Sequence, residues 1–82
     1  MHPLLQAVHF LERGEWAEAH AIVQRDESSM GAWLHAIVHI LEGDMDNAGY
    51  WFRRAGRTFV EPFQLAAELA EAKRELARQQ SA

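Results

Sequence analysis

The sequence contains no cysteine, which excludes disulfides, thiolate metal ligands and a cysteine nucleophile. No apolar run approaches the ~20 residues of a membrane-spanning helix. The first fifteen residues lack the basic start and small-residue cleavage site of a signal peptide. We therefore expect a cytoplasmic protein with no membrane partner. Basic residues are also few: 8 Lys and Arg stand against 12 Asp and Glu, for a net charge of −4, so nucleic acid is not an expected partner.

What is present is typical of one small folded domain. The 82 residues are 49% hydrophobic and 24% charged, a balance found in globular rather than disordered chains. No segment alternates apolar and polar residues with the period of a β-strand, so an all-α fold is predicted. A domain this small buries only a modest core, and formation of a homodimer would add to its stability.

Five helices are predicted from apolar residues at helical spacing and from the residues at the helix ends. Pro3 suits a first helical turn, and Gly14, Gly43 and Gly56 suit left-handed caps. Asp44 is predicted to cap the fourth helix, and Ser28 or Ser29 the third. The predicted helices span residues 3–13, about 15–25, about 30–42, 45–55 and 62 to about 78, with Glu61 as the cap and Pro62 at the first position of the last one.

An internal repeat relates the first four helices. A shift of 29 positions, which carries residue 14 onto residue 43, aligns two glycine-acidic turns and the small and apolar residues around them. The aligned pairs are Leu5 with Leu34, Ala7 with Ala36, Val8 with Ile37, Gly14 with Gly43, Glu15 with Asp44 and Ala19 with Ala48. Each unit is therefore a helical hairpin, and neighbouring hairpins are expected to stack and bury their apolar faces.

The segment GDMDNAGYWFRRA, residues 43–55, resembles the second half of a tetratricopeptide repeat. That half has a glycine turn, an acidic residue, a bulky residue, an alanine, an aromatic residue four positions later and an alanine three further on. In this chain these are Gly43, Asp44, Met45, Ala48, Phe52 and Ala55. The first hairpin matches at Gly14, Trp16 and Ala19 but has Val23 and Asp26 where the family has an aromatic residue and an alanine, and the family's period is longer, at ~34 residues.

The resemblance covers residues 4–56 and implies a fold and a function. The implied fold is two stacked antiparallel hairpins, about 3–25 and 29–56, closed by a C-terminal capping helix, about 62–78. The implied function is non-enzymatic protein–protein interaction, with no cofactor. By position in the family, Trp33 and Ile37 would line the concave surface. So apolar a surface must bind an apolar segment of a partner, dimerise or be covered by the last helix, and the last two are the more economical for a short chain.

Tyr50, Trp51 and Phe52 are consecutive and so point in three directions on a helix. The repeat predicts Phe52 in the core, which leaves Tyr50 and Trp51 for a partner or for cover by the last helix.

Arg53, Arg54 and Arg57 follow at the end of the same helix. They either stabilise the helix dipole, the simpler interpretation, or clamp a carboxylate or phosphate of a partner.

Two faces are possible for the last helix. One contains Phe63, Ala66, Leu69, Ala70, Leu76 and Ala77 and would pack on the rest of the chain. Leu65, Leu69, Ala72 and Leu76 form another stripe, which is a possible seam for a second chain.

His35 and His39 share one face of the third helix, and Glu42 lies near them. Two imidazoles and a carboxylate at this spacing can hold zinc or a similar ion, with His9 or His20 as a further ligand. The simpler interpretation is a pair of core histidines bonded to Tyr50 or to a backbone carbonyl, and it is favoured because both positions face the paired helix in the repeat. An acid–base pair is favoured less, since the chain has no nucleophile motif. The function predicted from the sequence is thus a protein-interaction module, with a small metal-binding protein as the alternative.

Overall fold

The computed structural model describes residues 2–81 and contains no β-strand among them. It has five α-helices and a short 3-10 helix: α1 Pro3–Glu12, α2 Trp16–Val23, α3 Ser29–Glu42, α4 Met45–Arg54, the 3-10 helix Pro62–Gln64 and α5 Leu65–Ser81. The predicted all-α fold is confirmed. No helix in this range is both long and apolar enough to cross a membrane.

Local interactions start α3 and α4 where the sequence predicts them, whereas α5 begins after the 3-10 turn and extends to Ser81, beyond the predicted end near residue 78. The Ser28 hydroxyl accepts a hydrogen bond from the backbone N–H three residues on, at 3.0 Å, and the Asp44 carboxylate does the same at 3.2 Å. Gly14, Gly43 and Gly56 have φ angles of +74°, +90° and +73°, which place them in the left-handed region that side chains disfavour. These caps and turns stop each helix and let the next one fold back.

Helix α3 is the centre of the molecule. All of its residues from Met30 to Ile40 are buried, because α3 packs against α1, α2, α4 and α5. Its apolar residues occupy most of its circumference, as expected for a helix covered on most sides, and His35 and His39 lie on the remaining face. The largest fully buried side chains are Phe52, Leu34, Ile37, Val8, Val23 and Val38, so Phe52 lies in the core as predicted.

Helix α5 covers the apolar surface that α1 and α3 share. It packs against both helices, and its buried residues are Leu69, Ala72 and Leu76. The stripe considered as a seam for a second chain is therefore used within this chain. The other predicted face is right for Leu69 and Leu76 and wrong for its remaining residues: Phe63 is 84% exposed, and Ala66, Ala70 and Ala77 are exposed as well. The two sets share Leu69 and Leu76 and differ in the residues beside them. One side of a helix can face the core, and the side with Leu65 and Ala72 is the one turned inward, with Leu65 half-buried and Ala72 buried.

A polar network ties α5 to α3. The indole N–H of Trp33 donates a hydrogen bond to the Glu68 carboxylate at 2.8 Å. The Arg57 guanidinium lies 3.4 Å from the centre of the Trp33 ring, and it pairs with Glu71 at 3.3 Å. Trp33 is 2% exposed and Ile37 is 0% exposed. Both side chains are buried within this chain and so do not line an open surface for a partner. Glu68 of α5 and Arg57, which follows α4, lie against Trp33, which is the cover by the chain itself that the sequence left open.

Candidate functional site

Three histidines from two helices meet at the packed face between α2 and α3. His20 comes from α2, and His35 and His39 lie one turn apart on α3. The ring centres are 4.9 Å apart for His20 and His35, 5.5 Å for His20 and His39, and 4.9 Å for His35 and His39. Each ring offers a nitrogen atom, and these three atoms lie within 4.8 Å of one another. We call this group the histidine cluster.

The structure thus brings His20 to the pair that the sequence singled out. Of the two further ligands considered, His20 belongs to the cluster and His9, which lies on α1, does not. Spacing along one helix is enough to place His35 beside His39. Placing His20 there requires the rotation of α2 against α3, which is a property of the packed core.

His35 is the most deeply buried member, at 5% exposure. Its ring stacks on the indole of Trp51, with the ring centres 3.8 Å apart and the planes 9° from parallel. Burial, and after it the neighbouring His39 and His20, lowers the pKa of His35 from 6.5 to about 4. The imidazole is therefore neutral at neutral pH, which is the form that binds metal ions.

His39 is oriented by Glu42. Its Nδ1 lies 2.6 Å from the Glu42 carboxylate. In the neutral ring, with the carboxylate as acceptor, Nδ1 carries the proton and Nε2 presents a lone pair. Within residues 2–81, the rings of His20 and His35 make no side-chain hydrogen bond. The bond expected from His35 and His39 to Tyr50 or to a backbone carbonyl is therefore not formed within these residues: His39 bonds to Glu42, and the Tyr50 hydroxyl accepts from Arg54 at 3.4 Å.

A second group, His39, Glu42 and Asp44, also places its ligand atoms within 4.8 Å. Both of its carboxylates already have partners. Glu42 is bonded to His39. Asp44 caps α4 and accepts hydrogen bonds from the side chain and backbone of Asn47 at 2.7 and 3.2 Å, which lower the pKa of Asp44 below 3.8. This group is an occupied helix cap beside the histidine cluster rather than a separate ligand set.

The outer face of α4 contains four of the predicted partner-binding residues. Tyr50 is 44% exposed, Trp51 is half-buried, and Arg53 and Arg54 are exposed. The Arg54 guanidinium lies 5.3 Å from the centre of the Trp51 ring. Neither Arg53 nor Arg54 forms an ion pair within the described part of the chain. Arg57 does not belong to this face, because its guanidinium is held against Trp33 and pairs with acidic residues of α5.

Trp51 is the site residue whose role the sequence did not predict. The sequence indicates it as a contact for a partner, and in the structure its indole also stacks on the His35 ring. A signal for this contact existed in the repeat, since the positions of His35 and His39 face the paired helix. Which aromatic residue contacts His35 is set by the packing angle of α4 on α3, which the sequence does not give.

Comparison of the chain with protein-family models, with curated proteins and with solved structures gave no match. The resemblance to tetratricopeptide repeats stays a prediction from the sequence.

Proposed function

We propose that this protein binds one divalent transition-metal ion at His20, His35 and His39. The observation that carries this proposal is the convergence of three ring nitrogens, supplied by two helices, within 4.8 Å. Around a tetrahedral zinc ion with nitrogen ligands at 2.0–2.1 Å, two ligand atoms are about 3.4 Å apart. Binding of the ion therefore requires the three ring nitrogens to move closer together.

The chemistry of the three donors selects the kind of ion. All are imidazoles, and imidazole suits Zn²⁺, Cu²⁺ and Ni²⁺, whereas Mg²⁺ and Ca²⁺ take oxygen ligands. His35 competes little with protons for the ion, because its pKa is lowered to about 4. We regard the role as non-enzymatic, in which the ion joins α2 to α3 and so holds the first hairpin on the second.

Zinc titration of protein purified without a histidine tag tests this function. After removal of bound metal, calorimetry should show one Zn²⁺ per chain. At a free Zn²⁺ concentration of 100 times Kd, the free energy of unfolding should rise by about 2.7 kcal/mol. The His20→Ala variant should lose this binding, since His20 is the sole ligand from α2. His9→Ala removes a histidine outside the cluster and should bind as the wild type does.

Saturable binding that His20→Ala and His9→Ala reduce equally would count against the cluster. So would the absence of stoichiometric binding by the wild type. Circular dichroism of both variants must show unchanged helix content, so that a loss of metal binding is not a loss of fold.

A second candidate function is protein interaction through the outer face of α4, with a protein partner or a second copy of the chain. The specific observation is an exposed tyrosine beside two arginines, Arg53 and Arg54, that form no ion pair within residues 2–81, on a chain with a net charge of −4. Arginine and tyrosine are enriched in interface hot spots. The resemblance to tetratricopeptide repeats, a family of interaction modules, supports the same candidate.

Sedimentation and affinity capture test this second function. If the face mediates dimerisation, Tyr50→Ala should shift the chain towards monomer at a given concentration. If it binds another protein, Arg54→Ala should weaken capture of that protein from cell extract. Arg74→Ala is a matched control, because Arg74 is an exposed arginine on α5. Equal capture by the two arginine variants would exclude Arg54 as a contact.

A further inference from the structure

We infer that a metal ion in the histidine cluster keeps one coordination position for a small donor from solvent, either water or a monodentate anion, while Glu42 stays outside the coordination sphere and positions His39. This inference rests on the proposed metal-binding function and adds the ligand class of the site.

The first step is the number of protein donors. Among residues 2–81, His20, His35 and His39 are the His, Asp and Glu side chains that converge at this point. The neighbouring group shares His39 with the cluster and adds two carboxylates. Both are already hydrogen-bonded, Glu42 to His39 and Asp44 to Asn47. Structural zinc sites close the tetrahedron with four protein ligands, whereas three protein ligands leave a position for an exchangeable one.

The second step is the direction of Glu42. Its carboxylate lies 2.6 Å from Nδ1 of His39. The two nitrogens of an imidazole ring point in divergent directions, so a carboxylate held at Nδ1 is directed away from an ion at Nε2. Glu42 can enter the coordination sphere only by giving up this hydrogen bond. A carboxylate in this place orients the ligating histidine and raises its basicity.

The third step is the side from which a ligand arrives. His35 and His39 are buried, and the indole of Trp51 covers one face of His35. His20 is half-exposed and is the most accessible of the three. The open position therefore faces solvent beside His20, between packed helices where a small donor fits best.

Cobalt substitution tests the open position directly. Co²⁺ binds zinc sites, and its visible absorption bands report the number and kind of ligands. The metal-free protein is loaded with one equivalent of Co²⁺ and titrated with azide, a monodentate anion. The bands should shift in a saturable manner in the wild type and equally in His9→Ala. Bands that azide leaves unchanged would overturn the inference, because they indicate a closed coordination sphere.

Variants at position 42 test the positioning role. Glu42→Ala should weaken Co²⁺ binding by about 10- to 100-fold, as is usual for the loss of such a partner. Glu42→Gln keeps a hydrogen-bond acceptor and should recover part of that loss. Both variants should still respond to azide. If Glu42 is instead the fourth ligand, azide will leave the Co²⁺ absorption bands of the wild type unchanged and will shift those of Glu42→Ala. This pattern would also overturn the inference.

The two possible failures are distinguishable. If the wild type binds no Co²⁺, or if His20→Ala binds it equally well, the proposed metal-binding function itself is wrong. If Co²⁺ binds in a His20-dependent way and azide has no effect, the histidine cluster stands and the open position alone is rejected.

Discussion

Acid should destabilise the metal-free protein through His35. This side chain is buried, and its pKa in the folded protein is lowered to about 4 by burial and then by the neighbouring His39 and His20. In the unfolded chain the pKa returns to 6.5. The unfolded state therefore binds a proton at a pH where the folded state does not. As a result, the free energy of unfolding decreases as the pH is lowered.

The sign and the size of the effect follow from the two pKa values. The stability associated with neutral His35 is complete above pH 6.5 and is lost progressively as the pH falls to about 4. At 1.36 kcal/mol per pKa unit, this difference amounts to about 3 kcal/mol. A domain of this size has a total stability of roughly 4–12 kcal/mol, so the loss is a large part of it. The lowered pKa of Asp44 acts below its ordinary value of 3.8, outside this window.

Urea unfolding followed by circular dichroism, at pH values from 7.5 to 4, measures this loss. The comparison is with His35→Gln, which cannot titrate. As the pH falls over this range, the free energy of unfolding of the wild type should decrease by about 3 kcal/mol more than that of the variant. A difference that stays constant with pH would refute the reasoning, because it would mean that His35 takes up its proton as easily in the folded protein as in the unfolded chain.

Three further predictions concern stability and use the same urea assay. Glu68→Ala leaves the buried indole N–H of Trp33 without its acceptor and should cost about 1–3 kcal/mol, whereas Glu68→Gln keeps an acceptor and should cost less. Gly43→Ala places a side chain at a φ of +90° and should cost about 1–2 kcal/mol. Gly49 lies inside α4, where an added Cβ would be an ordinary 3.5 Å from the Arg53 side chain, so Gly49→Ala should stabilise the protein by up to about 1 kcal/mol. Phe52→Ala removes the largest fully buried side chain and should cost about 3–5 kcal/mol.

Each of these predictions has a contrary outcome. Equal losses for the two Glu68 variants would mean that the indole N–H does not need this acceptor. Gly43→Ala and Gly49→Ala add the same atoms. Equal changes in the free energy of unfolding would therefore show that the backbone conformation of the glycine does not determine the change. A loss below 1 kcal/mol for Phe52→Ala would indicate that neighbouring core side chains move into the cavity left by the phenyl ring.

Features that depend on neighbours in the chain were predictable from the sequence. The cap at Asp44 and the turn at Gly43 involve hydrogen bonds and backbone angles within three or four residues. The burial of Phe52 followed from the repeat, because the same position in the first hairpin holds Val23, which is also buried. The pairing of His35 with His39 required nothing beyond the period of a helix.

Features that depend on how helices rotate and cross were not predictable. Trp33 and Glu68 are 35 positions apart and meet through an indole hydrogen bond, and no local pattern indicates that contact. Both stripes proposed for α5 satisfy the spacing of a helix, and packing against α1 and α3 decided between them. The resemblance placed Trp33 on a surface that a partner, a second copy or the last helix could cover, and the packing of the helices decided that Glu68 and Arg57 of this chain lie against it.

The sequence by itself determined an all-α chain, the positions of its turns and a pair of histidines on one helix face, because each depends on interactions a few residues long. The tertiary structure alone decided that His20 joins that pair and that Trp51 stacks on His35. These depend on the angles at which α2 and α4 pack on α3, which side chains from the whole core set together.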